Sequence, residues 1–472
     1  MLLWFRNDLR THDNPALHYV LSNVDTEKKS ASAIFFISHK QWKKHHWSEI
    51  KIDFIVKHAR NLVEELASLG ISLSLIYADS FKDQISYIID HVQQHAVNEV
   101  VANSEVEFNE QQRDQALLEQ GVKLTLFEAD VIVPKGKVLN KSGSMFKVFT
   151  PFKRAWLAHV QANGFSYLGK AQAIKRKAIK NLDLEHKVTS QPCKGVSKAW
   201  PVARIYEHQV FPAFIDKKLS LYGEQRDIPS IKGTSGISPY LAAGLISPRY
   251  VLRQLLNKYP DLLFSVDSPY FSWLNELIWR EFYRHLLFDQ PRLCKHQCFN
   301  LKYQSINWDN NAEYFEAWKQ GRTGYPLIDA AMRQLSTLGW MHNRLRMVVA
   351  SFLTKHLLID WRWGEKYFMQ HLIDGDLAAN NGGWQWAAST GCDAQPYFRV
   401  FNPIRQSERF DPKGDFIRTY LPELKDIPDS QVHFPHQYIA KHTLNLYWPA
   451  IVEHKQAREK AMAFYQSRPH EY

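Results

Sequence analysis

The sequence predicts an α/β domain over residues 1–130 and an all-helical domain over residues 205–472, joined by an interdomain connection over 131–204. Residues 1–130 alternate short apolar runs, rich in β-branched and aromatic residues, with segments in which apolar residues recur every three to four positions. This alternation is typical of βαβ units in a doubly wound, Rossmann-like parallel sheet. Beyond residue 205 only the helical period recurs, and 472 residues are long for a single hydrophobic core.

Each element of the α/β domain is predicted from its own segment. Strands are predicted at Leu2–Phe5, Ala33–Ile37, Leu73–Tyr77, Val100–Ala102 and Leu124–Phe127. Helices are predicted between them at Ile50–Leu69, Phe81–Val97 and Asn109–Gln120. The first strand is not followed by Gly-x-Gly-x-x-Gly and there is no phosphate-binding P-loop, so a dinucleotide-binding half is not supported.

The helical domain is predicted from apolar spacing and from the glycines and prolines that end its helices. Helices are predicted at Val251–Tyr259, Trp273–Asp289, Ala312–Gln320, Pro326–Leu338, Met341–Lys355 and Trp361–His371. In the connection before them, residues 161–200 are polar, lysine-rich and aperiodic, which is typical of a linker.

The net charge and the cysteine content indicate which partner and which compartment to expect. A net charge of +11 and a pI near 9.2 favour a polyanionic partner, nucleic acid first, although a merely basic protein is the alternative. Part of this charge lies around Lys175–Lys180, which suits a solvated linker. We expect no secretory signal, no membrane span and a reducing cytoplasm, given four cysteines in 472 residues. Cys294 and Cys298 lack a second ligand pair, so no metal site is expected.

The most informative run is Asp374–Trp386. It combines acids, amides, closely spaced glycines and two tryptophans with few aliphatic residues, which suits a large, polar, aromatic ligand. Residues 273–386 hold nine of the fifteen tryptophans, which indicates a stacking or electron-handling site, although a single tryptophan is usually core. Trp384 and Trp386 lie roughly 200° apart on a helix, so we expect one to point inward and the other to the opposite side.

The two acids of this run are expected to have different partners. Asp374 and Asp376 are two residues apart and therefore cannot share a helical face. We expect one to hold a hydroxyl of the ligand and the other to pair with a cation. Arg280 and Arg344 are the candidates for that cation.

A hydroxyl-rich loop precedes a predicted helix within Gly233–Pro248. Thr234, Ser235 and Ser238 lie at the loop-to-helix junction. Hydroxyls and free N–H groups at a helix start can bind an anion such as a diphosphate. The alternative is an ordinary N-cap, in which one hydroxyl accepts a hydrogen bond from the helix backbone.

The helix from Trp273 carries an unusual stripe. Trp273, Glu276, Trp279 and Arg280 fall on one side of it. Apolar packing does not require this mixture of aromatic and charged groups, whereas a polar ligand pocket does. The alternative is a surface ion pair between Glu276 and Arg280.

The segment Gly339–Met347 begins a further helix with polar residues. Asn343 and Met347 are one turn apart, with Arg344 beside them. An amide can read a base edge, an arginine a phosphate, and a thioether gives a soft apolar contact. The alternative is an exposed basic helix.

Five motifs in order resemble those of the photolyase/cryptochrome family, nearly end to end. They are Trp4–Arg10, Thr234–Ser238, Trp273–Tyr283, Gly339–Met347 and Asp374–Trp386. The detail is most similar to bacterial class I cyclobutane pyrimidine dimer photolyases. The resemblance implies an α/β antenna domain and a helical FAD-binding domain. It also implies a monomeric, cytoplasmic carbon–carbon lyase that uses blue or near-UV light and FAD, active as the reduced anion, to split cyclobutane pyrimidine dimers in UV-damaged DNA.

The resemblance also implies roles for individual residues. FAD would be bound by Tyr222, Thr234, Ser235, Gly236, Ile237, Ser238, Trp273, Arg280, Asp374, Gly375, Asp376 and Asn380. The flipped-out dimer would be bound by Glu276, Trp279, Asn343, Arg344, Met347 and Trp386, and the catalytic residues would be Glu276 and Asn380. Electrons would reach oxidised flavin through Trp384, Trp361 and Trp308. A 5,10-methenyltetrahydrofolate antenna would be held by Asn109, Glu110, Cys294 and Lys295.

One position departs from the family pattern. Gly236 stands where similar bacterial enzymes usually carry a basic residue, which weakens the expected hold on FAD because charge-assisted bonds are the stronger kind.

A photosensory cryptochrome is the first alternative. Asn380 argues against it, because plant cryptochromes typically have aspartate there, and so does the expected lack of a signalling tail. A (6-4) photolyase usually has a histidine pair where His342 and Asn343 stand. A cofactor-free nucleic-acid-binding protein leaves Asp374–Trp386 unexplained.

Overall fold

The computed structural model describes residues 1–24, 31–173 and 195–466, which fold as two compact units. Unit 1 comprises Met1–Ser220, Ser235–Cys294 and Ile373–Ala378, and unit 2 comprises Leu221–Thr234, Lys295–Leu372 and Ala379–Tyr472. The predicted domain bounds follow the type of secondary structure rather than spatial contact, and they stay a prediction. The basic segment Lys175–Lys180 lies outside the described residues, as does much of the predicted linker.

Unit 1 contains a five-stranded parallel sheet in the order β3-β2-β1-β4-β5. The strands are β1 Leu2–Phe5, β2 Ser32–Ile37, β3 Ser72–Tyr77, β4 Val100–Asn103 and β5 Leu124–Phe127. With β1 central and crossovers running to both sides, this is the predicted doubly wound order. Every residue of β1 is buried, as the continuous apolar runs of a parallel sheet require.

The predicted helices of the α/β region are confirmed close to their predicted bounds. The region contains α1 Pro15–Asn23, α2 His39–Lys44, α3 Glu49–Ser68, α4 Phe81–Gln94 and α5 Phe108–Glu119. Ser48 and Ser80 cap α3 and α4, since their hydroxyls accept from backbone N–H groups one turn into each helix. The short helices α1 and α2 were not predicted because so few turns give little apolar periodicity.

The described chain beyond residue 205 is helical, as predicted, and helices also lie before that point. The α-helices are α6 Phe149–Asn163, α7 Ala203–Ile205, α8 Phe211–Lys217, α9 Tyr222–Gln225, α10 Ser238–Ala242, α11 Pro248–Lys258, α12 Phe271–Asp289, α13 Ala312–Lys319, α14 Pro326–Leu338, α15 Asn343–Ser351, α16 Trp361–His371, α17 Leu377–Ala387, α18 Pro403–Phe410, α19 Asp415–Tyr420, α20 His436–Lys441 and α21 His454–Gln466. Short 3-10 turns lie at Leu219–Leu221, Pro291–Lys295, Leu301–Tyr303 and Pro422–Leu424, and π-helical turns at Tyr206–Val210 and Phe352–His356. Among the described helices, none is long and apolar enough to cross a bilayer.

Helices α17 and α21 were not predicted individually, and α6 and α15 differ from the prediction. Helix α6 lies inside the segment predicted to be a connection, and it packs in unit 1 through its buried aromatic residues. The helix predicted over Met341–Lys355 begins later, because the His342 side chain accepts from the Arg344 N–H and caps α15. It also ends earlier, because the backbone widens into the π-helical turn at Phe352–His356.

The turn after β1 is built by the arginines of the motif Trp4–Arg10. Arg6 forms two hydrogen bonds to the Asp114 carboxylate, at 2.7 and 2.8 Å. Arg10 donates to the backbone oxygen of Gly244, at 2.9 Å. Because both guanidinium groups are buried and paired, this motif fixes the backbone at the carboxyl end of the sheet.

Helix α12, which carries several predicted site residues, is anchored by a buried carboxylate. Glu281 is fully buried and accepts from the backbone N–H of Ile132 and of Val133 and from the indole N–H of Trp156, the last at 2.6 Å. Burial raises the pKa of Glu281 to about 7, although these donors act in the opposite direction. The three donors set the depth and rotation of α12 within unit 1.

Replacing Gly244 with alanine is expected to lower the free energy of unfolding by about 3 kcal/mol or more. Gly244 has φ +62°, and an added Cβ would overlap the backbone oxygen of Asn7. The matched control is Gly121→Ala, because Gly121 has φ +78° but nothing within 4 Å of an added Cβ. That change is expected to cost only about 1 kcal/mol. Urea unfolding followed by circular dichroism measures both, and equal losses would contradict the predicted overlap.

Candidate functional site

The hydroxyl-rich loop before α10 is joined to the acidic run within unit 1. Ser238 Oγ donates to Asp374 Oδ2, at 2.6 Å. The backbone oxygen of Ser235 accepts from the Tyr206 hydroxyl, at 2.8 Å. Ser235 Oγ accepts from the backbone N–H of Ile237, the N-cap residue of α10, at 3.4 Å, so the loop also has the hydroxyl-to-backbone bond of the capping alternative. The Ser238 hydroxyl orients one of the two predicted acids.

The second acid, Asp376, pairs with a buried arginine of α12. Arg284 forms an ion pair with Asp376 and also lies 3.4 Å from Asp130 and 3.6 Å from Glu107. Burial lowers the pKa of Arg284, but these three acids raise it above its ordinary value. Burial raises the pKa of Glu107 to about 7 despite Arg284. Arg284 thus holds a permanent positive charge among several carboxylates.

The sequence predicted that one of the two acids pairs with a cation, and Asp376 does so. Its partner, however, is Arg284 and neither of the two candidates. Of the two candidates named from the sequence, Arg280 donates to a backbone carbonyl oxygen, at 2.6 Å. Arg344 forms hydrogen bonds of 3.2 and 2.8 Å to the Asp227 carboxylate. Arg284 lies one turn after Arg280 on the same face of α12. This spacing of four residues could have identified Arg284 as a further candidate from the sequence.

Lys51 is a further contact that the sequence did not indicate. It lies on α3, is buried, and donates from Nζ to the backbone oxygen of Gly375, at 2.6 Å. Its ammonium also lies 3.9 Å from the ring centroid of Trp47. Burial lowers the pKa of Lys51 to about 8, although Asp376 raises it. The apolar period predicts only that Lys51 lies in a helix. Its contact with Gly375, far away in the sequence, could not be predicted from it.

The stripe on α12 divides into a buried and a half-buried part. Trp273 is 4% exposed and its ring centroid lies 5.7 Å from that of Phe211, so its packing is that of a core residue. Trp279 is half-buried and stacks on Phe149, with 3.6 Å between centroids and 8° between planes. Glu276 is also half-buried. The mixed aromatic and charged stripe therefore remains partly accessible in unit 1.

In unit 2, a buried glutamate organises the helix that carries Asn380. Glu365 is 1% exposed; its backbone oxygen accepts from Asn380 Nδ2, at 2.9 Å, and its carboxylate from Asn381 Nδ2, at 2.8 Å. Gln385 extends this network by donating to Asn381, at 2.8 Å. Among the described residues, nothing donates to Oδ1 of Asn380. That amide oxygen is therefore left to accept from a ligand.

The predicted electron-transfer tryptophans are core residues of unit 2. Trp384, Trp361 and Trp308 are 2%, 0% and 6% exposed. Trp386 is half-buried and packs against the same core, so the expectation that it and Trp384 point to different sides stays a prediction. Trp318, which the sequence did not distinguish from the other tryptophans, packs edge-on against Trp384, with 6.1 Å between centroids.

Helix α15 places the polar residues of the Gly339–Met347 motif. Asn343 is exposed and Met347 is half-buried, one turn apart. Arg344 is fixed by Asp227, and its guanidinium lies 4.3 Å from the ring centroid of Phe410. Arg344 is therefore already oriented within unit 2.

The residues predicted for an antenna are only partly brought together. Asn109 and Glu110 both contact His45, with Asn109 Nδ2 3.4 Å from Nε2 and Glu110 Oε1 3.3 Å from Nδ1. Burial raises the pKa of Glu110, but the hydrogen bond and the charge of His45 outweigh it together with Arg113, so this pKa lies below its ordinary value. Cys294 belongs to unit 1, and Lys295 belongs to unit 2.

A pocket that the sequence did not reveal lies beside Glu110 in unit 1. Its cavity volume is about 50 Å³. Aromatic residues form much of its wall: Trp4, Phe5, Phe35, Phe36, Trp42, Trp47 and Phe81. They come from separate segments of the chain, so only the folded sheet assembles them.

The predicted sites draw on both units. Of the predicted FAD residues, Tyr222, Thr234 and Asn380 belong to unit 2 and the others to unit 1. Of the predicted dimer-binding residues, Glu276 and Trp279 belong to unit 1 and the others to unit 2.

This fold, with an α/β sheet and a helical region rich in buried tryptophan, is that of the photolyase class of flavoproteins. Residues 1–173 match the family model described as DNA photolyase, and residues 273–467 match the FAD binding domain of DNA photolyase. The chain is 42% identical to the deoxyribodipyrimidine photo-lyase of Vibrio cholerae, over 99% of each chain. The chain belongs to the DNA photolyase family.

Solved structures agree with this assignment. A bacterial class III photolyase from Agrobacterium tumefaciens superposes with a TM-score of 0.80 at 32% identity, covering 99% of this chain and 97% of that one. An archaeal photolyase from Sulfolobus tokodaii, solved with two FAD molecules, superposes with a TM-score of 0.76 at 29% identity, covering 99% of each.

The residues present fit FAD, the cofactor of this family's helical domain. The loop at Gly236 has φ +68°, and an added Cβ there would meet nothing within 4 Å, so space remains beside the loop's hydroxyls. Asn380 offers an amide oxygen without a donor among the described residues, which suits a ring N–H. Asp376, held by Arg284, suits hydroxyl or N–H groups of the cofactor.

Replacing Arg284 with methionine is expected to weaken FAD binding by about tenfold or more, because Asp376 and Asp130 lose a buried cation. Equilibrium dialysis of FAD against the purified protein measures the dissociation constant. The control is Arg154→Met, because Arg154 is an exposed arginine on α6. Unchanged FAD affinity in the Arg284 variant would show that Asp376 does not depend on its ion pair.

Proposed function

We propose that this protein is a light-driven carbon–carbon lyase that splits cyclobutane pyrimidine dimers in UV-damaged DNA. The observation that carries the proposal is the Asp374–Trp386 run, whose acids and amides are held by buried partners in the way an extended polar cofactor requires. The Vibrio cholerae relative, 42% identical over its length, is a deoxyribodipyrimidine photo-lyase. When bound, FAD supplies light-driven transfer of an electron.

The protein's part is to bind and orient the cofactor. We assign the FAD phosphates to Tyr222 and Thr234–Ser238, and the ribose and ring to Asp374–Asp376. We also assign Arg280 and Trp273, the latter packed as a core residue, to the lining of the FAD site, and the Asn380 amide would hold the flavin ring. An amide adds no negative charge there, so it does not oppose a reduced, anionic ring. The absence of a cation at Gly236 leaves the phosphates to hydroxyls and backbone N–H groups.

The dimer is bound by residues with complementary chemistry. Photolyases are among the enzymes that take their target bases out of the stack, which costs less for a damaged pair. Trp279 and Trp386 then offer aromatic surfaces to the bases, while Glu276 and Asn343 offer polar groups to the base edges. Two residues complete the set: Met347 as an apolar contact and Arg344 at the DNA backbone.

The proposal also includes an antenna, a cellular compartment and an oligomeric state. A 5,10-methenyltetrahydrofolate antenna is held by Asn109, Glu110, Cys294 and Lys295. In support, Asn109 and Glu110 both contact His45 beside a pocket lined largely by aromatic residues. The protein works as a cytoplasmic monomer, which agrees with a basic chain that binds DNA as its polyanionic partner.

Illumination of the FAD-loaded protein with an oligonucleotide that contains a cyclobutane thymine dimer tests the function. We expect intact thymines to appear under blue or near-UV light and not in the dark, measured by chromatography of the digested oligonucleotide. Photoreduction of flavin without any dimer splitting would contradict the proposal and favour the cryptochrome-like photoreceptor.

Trp384→Phe is expected to slow photoreduction of oxidised FAD by about tenfold or more, since a barrier increase of ~1.4 kcal/mol suffices for that factor. Dimer splitting should be unaffected once the flavin is reduced chemically. Transient absorption after a light pulse measures the first rate. The control is Trp363→Phe, because Trp363 is 37% exposed on α16. If both variants photoreduce at the wild-type rate, Trp318, which packs against Trp384, becomes the next residue to replace.

A further inference from the structure

Lys355 is a buried lysine of unit 2 that faces one loop. Its Nζ lies 3.4, 3.4 and 3.1 Å from the backbone oxygens of Pro396, Tyr397 and Arg399. The ring centroid of Tyr465 lies 5.9 Å from the same ammonium. In the part of the chain that the structure describes, no carboxylate pairs with Lys355. Three carbonyl dipoles of one loop are therefore its counter-charge.

The loop that Lys355 contacts is docked beside the end of α17 and presents an aromatic residue to solvent. Gln395 is buried and donates to the backbone oxygen of Ala387, the last residue of α17, at 3.2 Å. Tyr397 and Trp386 both pack against the hydrophobic core of unit 2. Phe398 is 56% exposed. The loop from Gln395 to Arg399 therefore lies next to the helix that carries Trp386.

A lysine is a costly choice for this position. Burial, followed by the charge of Arg399, lowers the pKa of Lys355 to about 7. The other titratable groups around it do not supply a negative charge. His356 is buried, with its pKa lowered to about 3, and it hydrogen-bonds His454, whose own pKa is also lowered by burial. An apolar side chain would fill the same space without burying a charge, so the ammonium indicates a role beyond packing.

We propose that Lys355 is a positioning residue for DNA: its ammonium clamps the loop Gln395–Arg399 so that Phe398 and Arg399 meet the DNA strand as a fixed aromatic and cationic pair. This rests on the proposed function, because it takes the dimer-containing strand as the partner. An exposed aromatic ring offers a surface for a base, and an adjacent arginine offers charge to a phosphate. A mobile loop would bind DNA more weakly, because the entropy cost of ordering it would be incurred on binding.

The protonation of Lys355 has opposite effects on the loop and on overall stability. As the pH rises through about 7, the ammonium loses a proton, and its bonds to the carbonyls are no longer charge-assisted. In a local opening that moves the loop but leaves the Lys355 side chain buried, the loop is then held less firmly, because a neutral amine loses less than an ammonium when the carbonyls leave. The pKa of Lys355 is lower in the folded chain than its ordinary 10.5, so its contribution to the free energy of unfolding rises between about pH 7 and 10.5. A purely structural lysine would show only the second effect.

Hydrogen–deuterium exchange of peptides over residues 395–401 tests the clamp in the FAD-loaded protein, without light or DNA. After correction for the intrinsic pH dependence of exchange, we expect the rate to rise roughly tenfold between about pH 6 and pH 9. Lys355→Met should exchange rapidly at every pH, Lys355→Arg slowly at every pH, and Lys366→Met, at an exposed lysine of α16, should match the wild type. Loop exchange that is equal in the wild type and Lys355→Met, or that falls with pH, would overturn the clamp.

Binding of a dimer-containing oligonucleotide in the dark tests the DNA part. The affinity of the wild type should fall across the same pH interval, and that of Lys355→Met should be low and without a step. Phe398→Ala should lower affinity about tenfold at low pH while leaving the exchange step unchanged. An unaltered affinity in Phe398→Ala would overturn the assignment of this loop to DNA. If the clamp holds but illumination splits no dimer, only the proposed function fails.

Discussion

The acidic loop of unit 1 depends on burying two carboxylates, Asp374 and Asp376, against partners that are already in place. A buried carboxylate without a partner is strongly unfavourable. The Ser238 hydroxyl and the Arg284 guanidinium meet the two side chains, and Lys51 meets the backbone between them. These contacts come from α10, α12 and α3, so the loop takes its form only when those helices are packed. The segment that we propose to bind FAD therefore takes its geometry from the helices of unit 1.

The same principle appears in unit 2 with different residues. Glu365 is buried at the centre of an amide network, and it fixes Asn380 by accepting from its amide nitrogen. Lys355 is buried against three carbonyl oxygens, and it fixes a loop that carries an exposed phenylalanine. In each case a polar group whose burial is unfavourable alone is satisfied by the element that it holds. Such groups specify one conformation where apolar packing would tolerate several.

Repair chemistry of this kind asks little covalent work of the protein. The cofactor provides the electron, and the side chains provide orientation, exclusion of water and the right charge beside the ring. Under the proposed function, the Asn380 amide and the Asp376 carboxylate, paired with Arg284, would meet these demands without adding an uncompensated charge. The buried tryptophans of unit 2, Trp384 and Trp361 among them, add an apolar, polarisable surrounding that core packing already favours.

The sequence by itself determined the strands, most of the longer helices, the doubly wound sheet and the residue types of the proposed site. These follow from local periodicity and from motifs whose spacing is written in the chain. Tertiary structure alone decided which cation meets Asp376, that Lys51 reaches Gly375, that α6 is a packed helix, and that Trp318 lies against Trp384. The physical reason is that a hydrogen bond or ring contact between residues far apart in sequence leaves no periodic trace. Periodicity reports which face of an element is buried, and not what it is buried against.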